Sequence, residues 1–62
     1  MDETKREKFL KVYYNLPLGV RGEPIYDLDG KPLSWNAAYI EIKDRTKIGG
    51  IILDKLAELK II

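Results

Sequence analysis

The chain has no cysteine and no histidine among its 62 residues. Without cysteine there is no disulfide scaffold, and the composition suits a reducing compartment, so a cytoplasmic location is expected. Without histidine the chain lacks the commonest zinc ligand and the commonest general base. Long apolar runs are also missing, and the longest series of large aliphatic side chains is Ile51-Ile52-Leu53. That is too short for a membrane span or the core of a signal peptide, so no membrane partner and no export signal are expected. Nor does one sign of charge dominate. Eleven Lys and Arg stand against ten Asp and Glu, a net charge of +1, which argues against a broad nucleic-acid footprint or a polybasic anchor.

What is present is a short chain rich in Lys, Glu, Ile and Leu, a composition that leans toward thermophile proteins. Its length suits a single domain over residues 1–62 with one small core. A chain of this size buries roughly 60% of the surface its unfolded form exposes, for a stability of about 3–9 kcal/mol. With no disulfide or metal to staple it, packing and oligomerisation are the remaining sources of stability.

The opening segment, Asp2 to Lys8, is dense in charge of both signs and reads as a solvated first helical turn. Thr4 and Glu7 stand at capping-box spacing. Phe9, Leu10, Tyr13 and Leu16 then share one helical face, and Pro17 stops the helix near Asn15. A helix from Thr4 to Asn15 is predicted. Pro17 to Pro24 holds two Pro and two Gly and reads as a loop. Asp29-Gly30 between short alternating runs predicts a β-hairpin. A two-residue loop there pairs Leu28 with Lys31, Asp27 with Pro32, and Tyr26 with Leu33. Tyr26, Leu28 and Leu33 then share a face, and Pro32 falls at a pair that needs no N–H.

Residues 35–43 read two ways. As a helix capped by Ser34, they place Trp35, Ala38, Tyr39 and Ile42 on one face. As a strand, Tyr39 to Lys43 alternates and is rich in β-formers. After a turn at Asp44-Arg45-Thr46, the apolar residues Ile48, Ile51, Ile52, Leu56 and Leu59 mark a last helix, from Lys47 or Gly50 to Lys60. The fold class is therefore α+β: α-β-β-α-α, or α-β-β-β-α if residues 35–43 form a strand. The expected core is Phe9, Leu10, Tyr13, Leu16, Tyr26, Leu28, Leu33, Trp35, Ile42, Ile48, Ile52, Leu56 and Leu59.

Residues able to carry chemistry are few. Thr4, Ser34 and Thr46 are the only serine or threonine hydroxyls, each sits where a helix cap belongs, and no histidine is there to activate them. Asp27-x-Asp29-Gly30 resembles a fragment of a calcium loop, but Lys31 and Pro32 follow where further oxygen ligands are needed. Gly49-Gly50 precedes a helix without either phosphate-binding glycine pattern. It reads instead as flexibility at the helix entry or as close packing of two backbones. No enzyme, cofactor or metal site is expected.

Interaction is the better reading. The last helix carries Leu53 and Ala57 beside its main stripe, and the chain continues to Ile61-Ile62. That is wider than the ~100° apolar face a surface helix usually presents. Either the tail tucks against the first helix or the surplus meets another chain. Tyr14 also points away from the first helix's core face. We therefore expect a small interaction or regulatory module with itself (a homodimer) or another protein as partner, and Tyr14, Leu53, Ala57, Ile61 and Ile62 as candidate interface residues. Two alternatives stand beside it: a helix-turn-helix-like nucleic-acid binder and an accessory subunit of a larger enzyme.

Overall fold

Asp2 starts the first helix, accepting hydrogen bonds on its carboxylate from the backbone N–H groups of Thr4 at 2.9 Å and Lys5 at 3.2 Å. In the computed structural model, which describes residues 1–62, this helix is α1, Glu3–Tyr14. The expected cap at Thr4 is corrected by two residues: a carboxylate facing the first N–H groups is as good a cap as a hydroxyl, and it also favours the positive end of the helix dipole. Asn15 closes the helix, its side chain donating to the Lys11 carbonyl at 2.7 Å, and Pro17 prevents continuation.

The residues between α1 and the hairpin wind through successive turns, with Val20 N–H donating to the Pro17 carbonyl and Glu23 N–H to that of Val20. The antiparallel hairpin of β1 (Pro24–Leu28) and β2 (Lys31–Ser34) adopts the register read from the sequence: Tyr26 opposite Leu33, Asp27 opposite Pro32, Leu28 opposite Lys31. Asp29 and Gly30 both have positive φ, 51° and 83°, as the turn favoured by Asp-Gly requires. An irregularity between Pro24 and Tyr26 breaks the alternation, so Ile25 and Tyr26 are both half-buried.

Residues 35–43 are helical. Helix α2 (Trp35–Lys43) is capped by Ser34, whose hydroxyl accepts from Ala37 N–H at 3.1 Å. The preceding loop serves the next donors, with Trp35 N–H bound to the Glu23 carbonyl and Asn36 N–H to that of Arg21. A strand would put Trp35 and Tyr39 on the opposite face from Ala38 and Ile42. The helix brings all four to the protein side, with Ala38 and Ile42 fully buried.

Helix α2 ends in a Schellman turn, in which Thr46 N–H donates to the Glu41 carbonyl and Arg45 N–H to that of Ile42. Arg45 takes the left-handed conformation at φ 54°. From α1, Arg6 donates to the carbonyls of Ile42 and Lys43, placing a cation at the negative end of α2. Helix α3 (Lys47–Glu58) begins at the Thr46 cap and ends in a second Schellman turn through Lys60, φ 59°. There Ile61 N–H donates to the Leu56 carbonyl at 2.9 Å, which turns Ile61 and Ile62 back onto the core.

The result is an α-β-β-α-α fold around Phe9, Tyr13, Leu33, Ala38, Ile42, Ile52, Leu53 and Leu56. Two expected core residues are corrected: Ile48 and Leu59 are about half exposed. Leu53, expected at an interface, is buried instead. All three changes follow from one rotation of α3. Gly49 is buried against the end of α2, where an added Cβ would stand 2.5 Å from the Glu41 carbonyl oxygen. The inward stripe is therefore Gly49, Ile52, Leu53 and Leu56, spaced i, i+3, i+4 and i+7.

Candidate functional site

Of the five residues expected at an interface, the structure leaves only Tyr14 strongly exposed, at 57%. Leu53 is 1% exposed, and Ala57 is half-buried. Ile61 and Ile62 are half-buried and packed on the core, because the turn at Lys60 folds the tail inward. These residues do not form one surface.

Leu18, in the loop after α1, and Ile40, on α2, are exposed singly, at 79% and 55%, whereas three large apolar side chains gather on the outer flank of α3. Ile48, Ile51 and Leu59 are 48%, 51% and 50% exposed. Lys55, four residues from both Ile51 and Leu59, bridges them along one side of the helix. Lys55 forms an ion pair with Glu58 at 3.6 Å. Asp54, farther around the helix, pairs with Lys5 of α1 at 3.0 Å. Lys47 and Glu58 flank the apolar strip on one side. Reading Ile48 and Leu59 as core residues concealed this flank. The signal that could have revealed it is Gly49: a glycine scores as nothing in an apolar pattern, yet its lack of a side chain marks where another backbone approaches.

A second surface gathers aromatic rings from α1 and α2. Tyr13 and Tyr39 stack with centroids 4.3 Å apart and planes 3° from parallel, while Tyr14 meets Tyr39 edge-on. The Tyr14 and Tyr39 hydroxyls share a hydrogen bond at 3.1 Å. Arg21 lies 4.6 Å from the Tyr13 ring centre and donates to the Tyr14 carbonyl. The Tyr13 hydroxyl donates to Asn36 at 2.6 Å. The hydrogen bond to Tyr14 is the main cause that raises the Tyr39 pKa above its ordinary value, followed by burial. Most polar groups of this cluster are spent on one another, so it serves chiefly to tie α1 to α2.

The remaining candidates are accounted for by local structure. Ser34 and Thr46 are caps, and Thr46 also donates to the Glu41 carboxylate at 2.7 Å. Asp27 and Asp29 lie exposed in the hairpin, and no three acidic side chains come together in a way that could hold a metal ion. A groove of about 400 Å³ runs between Met1-Asp2 and the first turns of α3. Its cations Arg45 and Lys47 are offset by Asp2 and Asp54, and Thr46 already serves the Gly49 N–H. Helices α2 and α3 follow each other across a three-residue turn as in a helix-turn-helix, but α3 has no Arg, Asn or Gln to read base edges, and its Lys47 and Lys55 alternate with Asp54 and Glu58. No helix is long and apolar enough to cross a membrane. Comparison with protein-family models, with curated proteins and with solved structures returns no match.

Proposed function

We propose that this chain is a small interaction module that self-associates through the outer flank of α3. The observation that carries this reading is the set of three large aliphatic side chains, Ile48, Ile51 and Leu59, each about half exposed on one side of one helix. The core already has its own stripe on that helix, Ile52, Leu53 and Leu56, so the outer residues contribute little to folding while costing solubility. Apolar residues clustered in this way on so small a domain mark a contact surface. The surface is small, which fits a weak, reversible association rather than an obligate dimer.

Sedimentation velocity from about 20 µM to about 2 mM tests this, a range that brackets weak dimerisation. A mean mass that rises with concentration, and stays monomeric in Ile51→Lys, supports the proposal. A wild-type chain that remains monomeric throughout removes it. Because Ile51 is half exposed, Ile51→Lys leaves the core intact, and an unchanged helical circular dichroism spectrum verifies this.

A further inference from the structure

The outer flank of α3 has an internal symmetry. At 3.6 residues per turn and 1.5 Å per residue, side chains eleven apart lie about 20° apart around a helix and about 16 Å apart along it. Lys47 and Glu58 are such a pair, and so are Ile48 and Leu59. The first pair forms one edge of the flank and the second forms the other. Ile51 and Lys55 lie between them. All three pairs are centred within about one residue of Leu53 along the helix.

Two copies can meet on this face around a two-fold axis in two ways. In an antiparallel pair each edge meets the same edge of its partner, turned end for end. Lys47 then faces the partner's Glu58, Ile48 faces the partner's Leu59, and Ile51 rests against the aliphatic stem of the partner's Lys55. In a parallel pair opposite edges meet at the same height, so Lys47 is set against the partner's Ile48 and Glu58 against the partner's Leu59, with neither charge answered. An isologous contact needs a self-complementary surface, and only the antiparallel arrangement makes this one so.

The geometry points to a two-fold antiparallel pairing of α3 with a second copy of this chain, with reciprocal Lys47–Glu58 ion pairs along one edge and Ile48–Leu59 contacts along the other. This rests on the self-association reading and adds its partner and register. Lys47 makes no ion pair within its own chain and is free to answer the partner. Lys55 is held toward Glu58 of its own chain at 3.6 Å, which draws its ammonium to the edge and leaves its stem at the centre.

Charge reversal in mixtures tests the register. Lys47→Glu and Glu58→Lys each set like charges opposite one another twice, and each alone should weaken self-association by about tenfold, as like-charge contacts at an interface do. An equimolar mixture of the two pairs Glu with Lys at both ends, and should dimerise as well as wild type or better. Cysteine placement gives a second readout, since the chain has no native cysteine. Lys47→Cys mixed with Glu58→Cys should form the mixed disulfide dimer in preference to either homodimer. If wild type dimerises but the mixture is no stronger than the single variants, or Lys47→Cys crosslinks best to itself, the antiparallel register is wrong while self-association stands. A wild type that is monomeric at every concentration removes both.

Discussion

Gly49 of α3 lies against the Glu41 carbonyl of α2 so closely that a Cβ on it would be 2.5 Å from the oxygen and 2.8 Å from the carbon. The same carbonyl accepts the Thr46 N–H, and the Thr46 hydroxyl in turn accepts the Gly49 N–H at 2.9 Å. The end of one helix and the start of the next are thus locked by backbone approach, not by side-chain interdigitation. Gly50, next in the chain, has nothing within 4 Å of where its Cβ would stand.

The two glycines should therefore respond in opposite directions to the same substitution. Gly49→Ala forces two backbones apart and should cost about 1–3 kcal/mol, the usual range for overpacking a tight site. Gly50→Ala removes only chain entropy from the unfolded state and should add up to about 1 kcal/mol. Urea melts followed by circular dichroism measure both. Equal effects at the two positions would mean that the α2–α3 junction is looser than described.

The phase of α3 gives a second contrast. Leu53 is buried and Leu59 half exposed, opposite to what the apolar pattern suggested. Leu53→Ala should cost about 2–5 kcal/mol, as for other buried leucines. Leu59→Ala should stay within about 0.5 kcal/mol, as surface changes do. Measured at low micromolar concentration, where a weak dimer is dissociated, the pair reports on folding alone. A larger loss at Leu59 than at Leu53 contradicts the orientation of the helix.

Lys60 holds a left-handed backbone conformation, φ 59°, that a glycine adopts without Cβ strain. Such strain costs about 1–2 kcal/mol in a non-glycine residue, and glycine gives back about 0.4–1 kcal/mol through the freer unfolded chain. Lys60→Gly should thus be stabilising by roughly 0.5–1 kcal/mol, a rise in Tm of several degrees for a chain this short. A fall in Tm would show that the Lys60 side chain contributes more than its backbone costs.

Alkaline pH probes the tyrosine cluster. The hydrogen bond between the Tyr39 and Tyr14 hydroxyls, and after it burial, raise the Tyr39 pKa in the folded state. Its stabilising effect is therefore complete below the ordinary tyrosine pKa of about 10 and is lost as pH rises through the higher folded value. Tyr14→Phe removes the hydrogen bond and should bring the Tyr39 titration back toward the ordinary range, as followed by NMR of the ring carbons. A Tyr39 titration unmoved by that substitution would mean that the two hydroxyls are not bonded in solution.

Local chemistry alone determined much of this protein. Pro17 stops the first helix, Asp29-Gly30 sets the hairpin and its register, and Ser34 and Thr46 start α2 and α3, because each acts on backbone groups within a few residues of itself. Thr4 misled because two residues only two positions apart, Thr4 and Asp2, are both good helix caps, and only the geometry shows that the Asp2 carboxylate takes the first N–H groups, those of Thr4 and Lys5. Residues 35–43 stayed open in the sequence because their pattern serves a helix or a strand; docking of the 17–23 loop onto the first N–H groups of α2, and a core that takes Ala38 and Ile42 together, decided for the helix. The candidate surface was the least legible part. The last helix carries apolar residues around more than one face, and which face turns inward depends on how closely α2 can approach it. That distance is set by Gly49, a contact between segments that has no side chain to announce it. Tertiary packing alone buried Leu53, folded back Ile61 and Ile62, and left Ile48, Ile51 and Leu59 facing outward.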